Sequence, residues 1–296
     1  MPHQPVLLKE VIEVFNPQPG ECYIDATING GGHSYAILEK IKSSGRILGI
    51  DWDCELIKKL QENNSKFGIQ NLELICDNYA NIKHIARKHN FNKVSGILFD
   101  IGFSSYHVEE SERGFSFLRD EPLDMRYSLK NNNETAEKII NSQPEKAIEN
   151  ILREYGEERF AASIARGIVA GRKQKRITRT IELVRVIGES VPRAYLKNKI
   201  HFATKTFQAL RIAVNKELDN LRMALSDSLD ILIPSGKIAV VSFHSLEDRI
   251  VKNFFKNLAR EERIKILTNK PIIASYAESR ENPRARSAKL RAATKL

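Results

Sequence analysis

The sequence predicts an α/β protein, a Rossmann-like parallel sheet interrupted by a helical insertion. Three observations predict it: short apolar runs alternate with amphipathic stretches early in the chain, a glycine-rich turn follows the first run, and a fifth run returns only after a long helical stretch.

The first strand is Cys22-Tyr23-Ile24-Asp25-Ala26, followed by the loop Thr27-Ile28-Asn29-Gly30-Gly31-Gly32-His33 and a helix over 34–42. A second strand covers 46–51 and its helix 55–63, where Leu56, Ile57 and Leu60 share a face. A third strand at 72–76 leads to a helix at 82–88, and a fourth strand ends at Asp100 after starting at Gly96. Strands of a parallel sheet are buried on both faces, which is why these runs are continuously apolar instead of alternating. Residues 106–212 hold no comparable strand, and helical periodicity marks 147–153, 158–172 and 181–189. A further amphipathic helix over 210–225 passes through Pro234-Ser235-Gly236 into a fifth strand at 237–243. The expected organisation is a sheet domain made of 1–105 and 213–296, a helical insertion at 106–212, and a basic tail containing Arg284, Arg286, Lys289 and Arg291.

A chain of 296 residues that is 42% hydrophobic and 28% charged can bury a sizeable core, which excludes disorder as its main state. No run reaches the ~18 apolar residues of a membrane span, and Met1-Pro2-His3-Gln4-Pro5 does not read as a signal peptide, so a cytoplasmic protein is expected. Cys22, Cys54 and Cys76 form no Cys-x-x-Cys pair; neither disulfides nor a structural zinc site is expected, and no metal site is read from the sequence. The net charge of +10 is unevenly spread. Residues 1–105 and 213–243 are each one charge negative, whereas 106–212 carry +5 and 244–296 carry +7. Such basic regions suit either a polyanionic partner such as nucleic acid or a merely solubilising surface.

A glycine turn at the carboxyl end of the first strand lets a ligand approach the backbone, although it could equally serve only to turn the chain. Asp51 ends the second strand, where a carboxylate accepts ribose hydroxyls of NAD or S-adenosylmethionine alike. Asp25 precedes the glycines, and a carboxylate there favours a cationic sulfonium over a pyrophosphate; its alternative role is to cap the next helix. The loop also departs from G-x-G-x-x-G.

These residues belong to longer strings: Asp25-Ala26-Thr27 with Gly31-Gly32-His33-Ser34, Gly96-Ile97-Leu98-Phe99-Asp100-Ile101-Gly102-Phe103-Ser104-Ser105, Glu112-Arg113-Gly114-Phe115-Ser116-Phe117, Thr206-Phe207-Gln208-Ala209-Leu210-Arg211 and Ser242-Phe243-His244-Ser245-Leu246-Glu247-Asp248-Arg249. Through them, and nearly end to end, the chain resembles the RsmH (MraW) methyltransferases. The resemblance implies a class I S-adenosylmethionine-dependent sheet whose helical insertion recognises substrate. It also implies methylation of the exocyclic N4 of a cytidine in the decoding region of 16S ribosomal RNA in the small ribosomal subunit. Carried over position by position, it implies cofactor contacts at Gly31, Gly32, His33, Asp51, Tyr79, Asp100 and His107. This chain has Asn29 where the family usually has glycine, Tyr79 where phenylalanine is usual and His107 where glutamine is common.

The residues themselves narrow the chemistry. A 5-methylcytosine mechanism needs a cysteine nucleophile, and none lies near Asp100 in the chain; nor is there a Pro-Pro-aromatic loop. Direct attack by an exocyclic amine is expected instead, with Asp100 and Ser104 accepting its N–H bonds. His244, with Glu247 and Asp248, either orients the target nucleotide or forms a capped helix start. Phe115 and Phe117 either stack on an extruded base or fill a core. Seven basic residues from Arg166 to Arg185, and the tail, either grip RNA phosphates or form solvated faces. The competing functions are an NAD-dependent oxidoreductase and a non-catalytic RNA-binding assembly protein. Nothing in the sequence selects between a monomer and a homodimer.

Overall fold

The computed structural model describes residues 5–102 and 105–296, which form two compact units: 5–102 with 218–296, and 105–217. In chain order the elements are α1 (Leu8–Phe15), β1 (Cys22–Asp25), α2 (Gly32–Ile41), β2 (Arg46–Asp51), α3 (Cys54–Phe67), β3 (Leu72–Cys76), α4 (Ile82–Lys88) and β4 (Val94–Asp100). The second unit contributes α5 (Ser105–Glu109), α6 (Ala136–Ser142), α7 (Glu145–Gly156), α8 (Ala161–Gln174), α9 (Thr180–Glu189), α10 (Arg193–Leu196) and α11 (Thr204–Asn215). The chain returns to the first unit through α12 (Glu217–Ile231), β5 (Leu232–Ser242), α13 (Ser245–Arg260), β6 (Ile264–Ile266), β7 (Ile272–Ile273), α14 (Tyr276–Glu281) and β8 (Lys289–Lys295).

The sheet order is β3-β2-β1-β4-β5-β8-β6, with β7 also on β8. The five strands from β3 to β5 are parallel, and β8 is antiparallel to β5, β6 and β7. Alternation along the strands builds two cores. Ile24, Leu48, Ile97, Phe99 and Val240 meet α4, α12 and α13 on one face. Tyr23, Ile47, Leu98, Ala239 and Leu290 meet α1, α2 and α3 on the other. The order reverses between β1 and β4, which opens a crevice at the carboxyl ends of these strands.

The helical unit has its own core, with Leu123, Ile140, Ile148, Leu152, Ile164, Leu183 and Leu210 among its fully buried members. Arg211 and Glu217 close it with a buried bidentate pair at 2.9 and 3.0 Å. The expected helix over 210–225 is two helices, because Lys216 adopts a left-handed conformation (φ 50°) and ends α11. The second boundary therefore falls after residue 217 and not after 212.

Two further expectations are corrected. The basic tail is not a tail: its last residues form β8, in the interior of the sheet path, with Leu290, Ala292 and Ala293 buried. Two of the charges in β8 are satisfied locally. Arg291 binds Asp248 through Nε (2.6 Å) and a terminal nitrogen (3.3 Å), and Lys295 donates to the carbonyls of Leu229 and Leu232 at 2.6 and 2.7 Å. The second correction is a disulfide between Cys54 and Cys76, whose Cα atoms are 5.1 Å apart. Sequence spacing conceals it because parallel pairing does the work: Asp51 sits opposite Cys76, which brings the start of α3 to the end of β3.

Candidate active site

The first βα turn is shaped by two left-handed residues, Asn29 (φ 49°) and Gly31 (φ 79°). Asparagine tolerates this region better than most residues, so the turn forms without a glycine at 29. A Cβ on Gly31 would meet the Tyr35 ring at 2.7 Å, so a larger residue is excluded by space as well as by φ.

Three strand ends bring carboxylates to this turn. Asp25, at the end of β1, accepts Ser34 Oγ at 2.7 Å and the Thr27 N–H at 3.3 Å. It does not cap α2 through the backbone. Burial pushes its carboxyl up to about 6, against the opposing pull of these two donors, and the nearby Asp51 charge adds to the rise. Asp51 is fixed by the Asn29 N–H on one oxygen (3.1 Å) and the Asp53 N–H on the other (2.9 Å). Asp100, at the end of β4, is held through its own backbone: its N–H donates to Thr27 Oγ1 at 2.6 Å, and its carbonyl accepts from the Asn29 side chain at 3.3 Å. Burial, then the charges of Asp25 and Glu247, raise the Asp100 carboxyl well above the usual carboxylate range.

His33 is buried in the first turn of α2. Its Nε2 donates to the Val6 carbonyl at 3.0 Å, since a carbonyl can only accept, and its Nδ1 lies 3.7 Å from Asp100 Oδ2. Its ring thus fastens α2 to the segment before α1 and lies beside Asp100. Tyr79, on the turn after β3, is half-buried and meets Phe99 edge-on, with ring centroids 5.9 Å apart. Ser104 lies outside the described residues, as do Phe103 and the first four residues. His107 belongs to the helical unit, where its buried ring faces Phe115 and Tyr127 at 5.2 and 4.9 Å between centroids.

Most of the remaining candidates make structural contacts. His244 is the N-cap of α13, and Glu247 accepts the Phe243 and His244 N–H groups at 2.9 and 3.3 Å. His244 Nε2 also lies 3.1 Å from Glu247 Oε1. Asp248 is bound to Arg291, and is therefore an anchor of β8. Phe115 is buried in the helical core, and Phe117 stacks on His201 at 4.5 Å. Of the seven cations from 166 to 185, Arg172 staples the Ile140 and Gln143 carbonyls, while Lys175, Arg176 and Arg179 pair with Glu182, Glu137 and Asp120. Arg166, Lys173 and Arg185 are exposed.

Sequence reasoning gave no role to Ser34 and Thr27, which bind Asp25 and the Asp100 backbone, and named Glu247 without its effect on the Asp100 carboxyl. The signal for Ser34 was its place in the first turn after the glycines; Glu247 is brought in by the β4–β5 pairing alone.

The reversed sheet order, the glycine turn and the acids on adjacent strand ends together define a Rossmann-like S-adenosylmethionine-dependent methyltransferase. A sulfonium ligand fits this cluster of buried carboxyls, where a pyrophosphate would meet like charge. The chain belongs to the MraW methylase family, whose model matches residues 1–296. It is 45% identical over 310 residues to a protein of Heliobacterium modesticaldum named ribosomal RNA small subunit methyltransferase H, covering 99% of this chain and 98% of that one. A protein of the same name from Dictyoglomus thermophilum is 47% identical over 290 residues, covering 98% and 95%. A solved rRNA methylase from Streptococcus thermophilus overlays with a TM-score of 0.45 and 11% identity over 99% of this chain and 98% of that one.

Proposed function

We propose that the protein methylates the exocyclic N4 of a cytidine in the decoding region of 16S ribosomal RNA, acting on the small ribosomal subunit in the cytoplasm. The observation that carries this reading is Asp100, a buried carboxyl whose Oδ1 has no hydrogen-bond partner among the described residues. A buried acceptor left without a donor is costly, and an amine N–H from a substrate relieves that cost. The names of the relatives at 45% and 47% identity support a small-subunit RNA as substrate.

S-adenosylmethionine supplies an electrophilic methyl group when bound. Asp25 favours the positive charge, Asp51 receives the ribose hydroxyls, Gly31 and Gly32 let the ligand approach the backbone, and Tyr79 offers a ring to the adenine. His107 is proposed as a further contact from the helical unit. His33 Nδ1 lies 3.7 Å from Asp100 Oδ2, and Oδ1, without a partner among the described residues, accepts an N–H of the cytosine amine. That bond, with Ser104 as a second acceptor, localises the nitrogen lone pair for in-line attack. Methylation acidifies the amine, and Asp100 then accepts its proton. His244 is proposed to orient the target nucleotide. Arg166, Lys173 and Arg185 supply exposed positive charge for RNA phosphates.

The test is transfer of labelled methyl to small subunits from a strain lacking the modification, with free 16S RNA in parallel, followed by nucleoside analysis. N4-methylcytidine is the expected product. Label on a ring carbon, on another nucleoside or on protein would overturn the assignment.

A further inference from the structure

Away from the acidic crevice, the sheet unit has a second cavity of about 570 Å³, between the start of α13 and the segment entering β8. We infer that this cavity is a subsite for single-stranded RNA, holding one base and its phosphate next to the reacting nucleotide; this rests on the reading of the protein as an RNA methyltransferase.

The lining is chemically divided. Phe243 and Tyr276 are aromatic, His244 adds an imidazole, Ser245, Ser279 and Ser287 carry hydroxyls, and Arg286 and Lys289 are cationic; among the described residues no carboxylate lines it. The crevice at Asp25, Asp51 and Asp100 is the reverse. Tyr276 is 80% exposed and Ile273 is 65% exposed, so apolar surface stands in water beside the cations. An exposed aromatic next to a guanidinium is how single-stranded nucleic acid is held without base pairing: the ring stacks on a base and the cation meets the backbone. Arg286 is fixed at the rim by its Nε bond to the Ser279 carbonyl at 3.1 Å. Lys289 lies 3.7 Å from Asp248, which partly neutralises it, so Arg286 carries most of the anion attraction. The volume lies within the ~300–1,000 Å³ of small-ligand pockets, enough for one nucleotide.

The position is what ties the cavity to the reaction. Val241 pairs with Asp100 across β5 and β4, and the cavity begins two residues later, at Phe243. The Phe243 ring packs on Gly102, two residues beyond Asp100, so closely that a Cβ there would meet it at 2.6 Å. A strand of RNA that presents its cytosine to Asp100 therefore reaches this cavity with an adjoining nucleotide.

The full-length protein tests this with a labelled single-stranded RNA, followed by fluorescence anisotropy over a range of salt. Tyr276→Ala and Arg286→Ala are each expected to weaken RNA binding about tenfold, and Tyr276→Phe to bind as wild type because the stacking face is kept. Arg286→Ala should also reduce the slope of log affinity against log salt by about 0.7, the value for one phosphate on a single strand. Affinity for S-adenosylhomocysteine, and the melting temperature, should stay unchanged in all three. Unchanged RNA affinity and salt slope in both alanine variants would overturn the subsite, as would displacement by inorganic phosphate with RNA binding insensitive to Tyr276. If wild-type protein binds RNA through Tyr276 and Arg286 but transfers no methyl to it, the proposed reaction fails and the subsite stands. Transfer that is intact and indifferent to both residues sinks the subsite alone.

Discussion

Two regions of one sheet carry opposite charge. At the ends of β1, β2 and β4, the carboxyls of Asp25, Asp51 and Asp100 are buried, and two of them are held above their ordinary range. At the β5–β8 end, cations predominate: Arg291 is buried against Asp248, and Arg286 and Lys289 line an open cavity. The difference suits the two proposed ligands, a cationic methyl donor at one end and a polyanionic acceptor at the other. A sulfonium would relieve the repulsion among the buried acids, whereas at the basic end the buried Arg291 is already paired and Arg286 stays exposed.

Breaking that internal pairing should have the largest effect. Arg291→Met leaves Asp248 partly buried without its bidentate partner and should cost about 3–5 kcal/mol in urea unfolding; a loss under about 1 kcal/mol would show that β8 is held by packing alone. At the acidic end, Asp51→Ala removes an acceptor fixed by two backbone N–H groups. Calorimetry should find cofactor affinity lower by roughly 10- to 100-fold, and an unchanged constant would remove Asp51 from the site.

A subtler contrast is pH. Asp25 titrates near 6 in the free protein, and a cation favours its ionised form. S-adenosylmethionine affinity should fall about tenfold from pH 7.5 to 5, S-adenosylhomocysteine should respond less, and Asp25→Asn should flatten the profile. Stability runs the other way. The folded protein holds this proton more tightly than the unfolded chain, so the contribution of Asp25 is fully present below about pH 4 and is lost as pH rises through about 6. Thermal melts of the cofactor-free protein, wild type against Asp25→Asn, measure it; a wild-type advantage that grows with rising pH would contradict the burial argument.

The parallel half was legible in the sequence because its signals are local. Apolar runs ending in Asp25, Asp51 and Asp100, with a glycine turn between the first two, need no tertiary information. The antiparallel end was not, since Lys289-Leu290-Arg291-Ala292-Ala293-Thr294-Lys295 is rich in charge and alanine, and the partners that receive its cations, Asp248 and the end of α12, are distant in sequence. The Cys54–Cys76 bond was hidden for a related reason: it is a product of strand register. His244 and the aromatics Phe115 and Phe117 were ambiguous, since a helix cap and a core ring use the same residue types as a substrate site.

The central claim is that Asp100 accepts the N–H of the amine being methylated. Single-turnover methyl transfer to small subunits, with wild-type and Asp100→Ala protein both saturated with cofactor and RNA, isolates that role from binding. The account predicts a rate lower by about 100-fold or more in the variant, with N4-methylcytidine still the product; a rate within a few-fold of wild type would contradict it.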